Sequence, residues 1–225
     1  MVEYLVYTEK VPGSFPGASI LLMEKKYISF DIEASGPTPG RYSMLSLGAC
    51  VVGDTSKQFY REIKPISQNF IVEAMQVSSK GLRCLDELKH LDEYNFESDM
   101  FNPLKVLEVL YKKGEEPGKV MGDYADWVRE HTAGFRPIEA AAPIKFDSMF
   151  STWYFDNFYD GENPLGYSGE DINSMYRGVV GDINAHIEQL GLRGEDLPHN
   201  ALEDAIIQAR EFEEVLNSLH HKKTI

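Results

Sequence analysis

At 225 residues the chain is short enough for one hydrophobic core to organise, so a single domain with elaborations is expected. Hydrophobic residues at 43% and charged residues at 26% exclude a disordered chain. A net charge of −14 argues against sequence-independent adhesion to long duplex DNA, because that affinity comes from Lys and Arg neutralising phosphates. It still admits a site where acidic residues gather divalent cations, which reverse the local charge.

Residues 1–22 mix Gly, Pro and scattered apolar residues without a period and are expected to be a poorly ordered N-terminal extension, with the folded domain over 23–225. The apolar run Ile20 to Met23 is too short for a secretory or membrane segment, so a cytoplasmic protein with no membrane association is expected. Tyr27 to Glu33 alternates strictly, with Ile28, Phe30 and Ile32 on one face and Tyr27, Ser29, Asp31 and Glu33 on the other. This predicts a strand with a carboxylate face. Ser35 to Gly40 is a Gly/Pro loop, Ser43 to Val52 a largely buried strand, Gly53 to Lys57 a turn and Gln58 to Ile63 a third strand, which together predict an antiparallel meander.

After Lys64-Pro65 the texture becomes helical, with helices predicted at Leu104 to Lys113 and about Val120 to His131, and an elaboration around 88–118. A strand around Ala140 to Ile144 is expected to lead into Phe146-Asp147 and an aromatic-rich helix. Gly161 to Gly169 reads as a loop, Ile172 to Tyr176 and Val179 to Leu190 as helix, and Ala201 to Leu219 as a long final helix. The aromatics Trp153, Tyr154, Phe155, Phe158 and Tyr159 have helical spacing and read as core rather than as a base-stacking platform. Cys50 and Cys84 show no metal-ligand spacing and read as inert thiols.

Asp31 and Glu33, two apart on a strand, project from one face and can share hard cations such as Mg2+ or Mn2+. The same D-x-E pattern recurs at Asp160 and Glu162, inside a turn where solvated loop acids explain it. What separates Asp31 and Glu33 is the core-building alternation around them. In Pro198 to Asp204, Asn200 and Glu203 form a capping-box-like pair that starts the last helix at Ala201. His199 is thereby left outside the helix, and Asp204 falls in its first turn, at the edge of a stripe through Leu202, Ala205, Ile206, Ala209, Phe212, Leu216 and Leu219. Alone, Asp204 would read as an acid complementing the helix dipole, His199 as a surface histidine, and Asp147 equally as a cap or a ligand.

Taken together, FDIEASG at 30–36, FDSMF at 146–150 and HNALEDA at 199–205 resemble the DEDDh 3′-5′ exonucleases, the family of proofreading exonuclease subunits, ribonuclease T and oligoribonuclease. Lys64-Pro65 after the third strand is also similar to the family, and the resemblance covers about Tyr27 to Leu219. It implies an α/β, ribonuclease H-like mixed sheet, antiparallel in its first three strands and flanked by helices. It further implies hydrolysis of phosphodiester bonds from the 3′ end of single-stranded or short nucleic acid, RNA or DNA, releasing nucleoside 5′-monophosphates. Asp31, Glu33, Asp147 and Asp204 correspond to carboxylates holding two Mg2+ or Mn2+ ions, and His199 to the general base. Two ions about 3.5–4 Å apart can clamp the attacking and leaving oxygens in line.

By the same resemblance, Ala34, Ser35 and Gly36 would approach the terminal nucleotide, Met44 or Leu45 would wedge against a base, and Phe150 would wall the pocket. Strand core and helix core remain equal readings for the last three. A homodimer is common among the relatives, though no surface stripe here demands one. One departure is Ala142-Pro143-Ile144-Lys145, where relatives commonly carry His-Asn; this alters the polar surroundings expected of Asp147. The alternatives are a catalytically idle exonuclease-fold module binding nucleotide or protein, and a ribonuclease H-type endonuclease, which gives no reason for His199.

Overall fold

The alternation at residues 27–33 becomes the central strand of a five-stranded sheet in the computed structural model, which describes residues 24–193 and 198–222. Strands β1 (Lys25–Ala34), β2 (Met44–Val51) and β3 (Asp54–Glu62) form the antiparallel meander. β4 (Arg136–Ala141) lies parallel beside β1, and β5 (Gly169–Asp171) parallel beside β4, giving the order β3-β2-β1-β4-β5. This is the ribonuclease H-like mixed sheet the motifs imply. The proposed boundary at residue 22 lies outside the described residues. Among those described, no helix is long and apolar enough to cross a membrane.

Both faces of β1 are covered. On one, Ile28, Phe30 and Ile32 pack with Tyr124, Phe150 and Tyr154 from α3 (Pro117–His131) and α4 (Ile144–Phe158). Each of the buried Ile and Phe side chains contributes about 1.5–3 kcal/mol relative to exposure. The other face receives α6 (Ala201–Lys222), which crosses β1 and β2. There Tyr27 meets Phe212 edge-on at 4.9 Å, and the Ser29 hydroxyl donates to the Ala205 carbonyl at 2.8 Å. The close seating of α6 depends on Gly48 of β2, where a Cβ would overlap the backbone of Ala201 and Leu202. Gly48 is the register partner of Asp31.

A second cluster joins Leu45, Met75, Leu82, Leu85, Val106, Leu107 and Leu110, packing α1 (Val72–Ser78) and α2 (Pro103–Lys113) beyond β2. Asn102 caps α2 by accepting from Leu104 N at 3.1 Å, and Pro103 occupies the first helical position.

Four boundaries differ from the sequence reading. The fourth strand covers 136–141 rather than 140–144, because Pro143, with no N–H for a ladder, sits at the N-cap of α4. β3 already begins at Asp54, inside the expected turn. β5, three residues long, is too short to show a period. The helix expected over 179–190 breaks: α5 (Ile172–Val180) ends at Gly181, whose φ of 78° is left-handed, and only Ile187–Leu190 forms a further 3-10 turn.

Candidate active site

The carboxylate face of β1 ends at a β-bulge between Glu33 and Ala34, which re-aims the chain where the strand leaves the sheet. Asp31 and Glu33 therefore stand side by side under the start of α6. Helix α6 contributes Asp204 from its first turn, its amide donating to the Asn200 carbonyl at 2.9 Å. Asn200 caps the helix as its sequence predicts, accepting at Oδ1 from Leu202 N at 3.2 Å and Glu203 N at 3.3 Å. Its Nδ2 donates to the Gly81 carbonyl at 2.6 Å, and a Cβ at Gly81 would overlap His199 O and Asn200. His199 takes a left-handed φ of 49°, uncommon outside glycine, held by these flanking contacts. Asp147 enters from the first turn of α4, where its Oδ1 accepts from Ile32 N at 3.1 Å, tying helix to strand beside the two β1 acids.

These five residues line one cavity of about 180 Å³. Ligand atoms of Glu33, His199 and Asp204 all lie within 4.8 Å of one another. Asp31 and Asp147 complete the acidic lining, and the Asp31 carboxyl feels Asp147, Glu33 and Asp204. Burial first, then this mutual repulsion, holds Asp31 well above the usual carboxylate range. Burial pushes Glu33 up to about 8, partly eased by the Ser78 hydroxyl. It pushes Asp147 to about 8 against the Ile32 amide, and Asp204 to about 6 against Arg193. His199 is lowered by burial and by the Lys80 charge. Asp204 Oδ1 is buried and, among the described residues, has no hydrogen-bond partner. A crowded set of hard oxygen ligands with one orphaned oxygen fits a divalent cation, which would satisfy that oxygen and relieve the repulsion.

The remaining candidates are not among the residues that line this cavity. Ala34 exchanges two backbone hydrogen bonds with the Ser78 hydroxyl, at 3.3 Å from its N–H and 3.0 Å to its carbonyl. Ser35 donates to the Asn69 carbonyl at 2.8 Å, and Gly36 packs under the Tyr42 ring. Met44, Leu45 and Phe150 are wholly buried in the core clusters. Of the aromatic run on α4, Tyr154 and Phe155 are core and Trp153, Phe158 and Tyr159 pack against it, as their spacing predicts.

Two polar lining residues, Gln208 and Arg193, lie outside the motifs. Gln208 donates from Nε2 to Asp31 Oδ1 at 3.0 Å and accepts from Ala142 N at 2.8 Å, thereby joining α6, β1 and the end of β4. Its place four residues after Asp204 puts it on the same helix face, a signal the sequence carries. Arg193 and Phe146 also line the cavity. Phe146 stacks at a tilt on Phe150, 5.3 Å between centroids.

No family model matches the chain. It is 33% identical over 214 residues to the 3′-5′ DNA exonuclease Cap18 of Escherichia coli, an alignment covering 88% of this chain and 95% of that protein. Its fold is similar to the nuclease domain of 3′hExo, a DEDDh family member bound to rAMP, with a TM-score of 0.61 at 13% identity over 89% of this chain and 94% of that one. It is also similar to E. coli Exonuclease I in complex with a dA16 oligonucleotide, with a TM-score of 0.55 at 14% identity over 86% of this chain and 41% of that one. With the motif order, the sheet and the relative's extent in agreement, the chain belongs to the DEDDh family of 3′-5′ exonucleases.

Proposed function

We propose that this exonuclease acts on the 3′ end of single-stranded DNA, using Asp31, Glu33, Asp147 and Asp204 to hold two Mg2+ or Mn2+ ions and His199 as general base. The observation that carries the reading is the convergence of these five residues, from distant parts of the chain, on a single cavity. DNA is favoured because the sequence relative is called a DNA exonuclease and Exonuclease I binds oligodeoxynucleotides; rAMP in 3′hExo makes RNA the necessary comparison.

Bound divalent ions would supply the positive charge that stabilises the attacking and leaving oxygens. The chain's own residues do the rest. His199 accepts the proton of the attacking water, and its lowered pKa keeps the imidazole unprotonated near neutrality. Gln208 fixes the Asp31 carboxylate against α6, and Ile32 N fixes Asp147, so both acids are aimed before substrate arrives. The main chain at Ala34, Ser35 and Gly36 forms the rim beside the terminal nucleotide. Met44, Leu45 and Phe150 have no exposed surface and act through the core clusters rather than by touching the nucleotide. The product is a nucleoside 5′-monophosphate. A cytoplasmic location and a homodimer belong to the same proposal and are checked by fractionation and by sedimentation.

The test is incubation of 5′-labelled single-stranded DNA and RNA with the protein in EDTA, Mg2+ or Mn2+. Stepwise shortening from the 3′ end, faster on DNA and abolished by EDTA, is expected. Internal cuts would replace this reading with an endonuclease, and no metal-dependent cleavage would leave only an idle module.

A further inference from the structure

One charged residue of the same cavity, paired with a buried carboxylate behind it, has no part in the proposed reaction. Arg193 lines the cavity beside Asp31, Asp147, His199 and Asp204. Its Nε donates to Glu211 Oε1 at 2.6 Å and its Nη2 to Glu211 Oε2 at 2.8 Å, and Glu211 is 0% exposed. Glu211 follows Asp204 by seven residues on α6, so Asp204, Gln208 and Glu211 form one polar row along the helix face, all three buried. Enclosing an arginine–carboxylate pair is often no better for the fold than an apolar pair of the same volume, so such a pair at the wall of an active site points to a role beyond stability.

The geometry of the pair indicates what that role is. Glu211 grips one edge of the guanidinium, which fixes its plane and leaves Nη1 over. Among the described residues Nη1 makes no hydrogen bond; its nearest carboxylate oxygen is Glu188 Oε1 at 3.6 Å, on a half-exposed side chain. Among the described residues Nη1 thus has only a loose ion pair with Glu188, on a held cation in a cavity whose other charged groups are acids and one histidine.

We propose that Arg193 contacts the phosphate of the bound nucleotide, donating from Nη1 to a non-bridging oxygen, and that Glu211 is the positioning residue that holds the guanidinium for it. This rests on the exonuclease reading above. A guanidinium is permanently charged, planar and weakly hydrated, so it can meet a phosphate oxygen at small desolvation cost once its plane is fixed. Because the carboxylates are committed to cations, the substrate phosphate has few other fixed positive partners from the chain itself.

The discriminating variant is Arg193→Met/Glu211→Met, which removes both charges together and leaves neither buried and unpaired. Calorimetric binding of a nucleoside 5′-monophosphate and of the matching nucleoside, with Mg2+ present, is measured alongside exonuclease kinetics and the melting temperature. Loss of one charge-assisted hydrogen bond predicts that the monophosphate binds roughly ten- to a hundredfold more weakly, with nucleoside binding and melting temperature unchanged. Arg193→Lys, which keeps a cation opposite Glu211 but not the planar fork, should lose an intermediate factor and covers the case in which the double variant does not fold. Unchanged monophosphate binding in either folded variant would reduce Arg193 to a counter-ion for Glu211 and overturn the proposal. A wild-type protein that binds the monophosphate but cleaves nothing would overturn the exonuclease reading alone; one that binds no monophosphate would overturn both.

Discussion

Replacing Asp147 by asparagine separates its charge from its hydrogen bond, since the amide Oδ1 can still accept from Ile32 N at the 3.1 Å contact. The carboxyl is pushed up to about 8 by burial, so without metal the folded protein holds this proton well above the pH at which the unfolded chain releases it. For an acid shifted upward, the sign is that metal-free stability is intact below about pH 4 and is lost as pH rises towards 8. At about 1.4 kcal/mol per tenfold change in acid strength, the whole interval corresponds to roughly 6 kcal/mol. The neighbouring acids share protons with Asp147, so removing one charge recovers only part of this, about 2 kcal/mol. For a chain of this size that is roughly 4–8 °C in melting temperature.

The assay is thermal melting of wild type and D147N in EDTA at pH 5 and pH 8, then with Mn2+ added. D147N should melt close to wild type at pH 5, several degrees higher at pH 8, and gain less from Mn2+. If the two proteins melt together at pH 8 in EDTA and gain equally from Mn2+, Asp147 is not part of a crowded metal-binding cluster, and the reasoning fails.

Asp31→Ala should abolish turnover while the protein still folds, because it removes one of four mutually repelling acids; wild-type rates in single-stranded DNA digestion would refute its assignment. Lys80→Met removes a charge that depresses the His199 pKa, so the acidic limb of the pH–rate profile should move to higher pH, and an unmoved limb would mean His199 does not set it. Gln208→Leu leaves both Asp31 Oδ1 and Ala142 N without their shared partner, with an expected cost of about 1–3 kcal/mol in denaturant unfolding and a fall in kcat larger than any change in KM.

The parts of the site legible in the sequence are those with a local physical signature. Asp31 and Glu33 stand out because acids interrupt a strand whose other face is uniformly apolar, and that face is the one buried against α3 and α4. His199 and Asp204 stand out because Asn200 marks the helix start, and the structure shows its side chain capping that turn. Asp147 has no such signature: its carboxylate is aimed by Ile32 N, a contact across 115 positions, so the family motif carries it. Gln208 lies one turn beyond Asp204 on the same helix face, but a lone glutamine there carries no signature of its own until the fold sets Asp31 opposite. Arg193 is visible only through its partner Glu211, 18 residues away on another element. In the fold, the long strands and amphipathic helices follow from period, whereas β5 and the break at Gly181 depend on three residues and one backbone angle.

The absence of a side chain at Gly48 has a consequence for how this site tolerates change. The spacing between the β1 acids and the α6 acid is set by main chain resting on main chain, at the position directly across from Asp31. Side-chain repacking elsewhere in the core can be absorbed by rotamer adjustment, but a single methyl group at this point has nowhere to go except between sheet and helix. It would lift the start of α6 as a rigid unit, carrying His199, Asp204 and Gln208 away from Asp31 and Glu33 together. The metal-binding geometry therefore depends on one hydrogen atom's worth of clearance in β2, on a residue that itself offers no ligand.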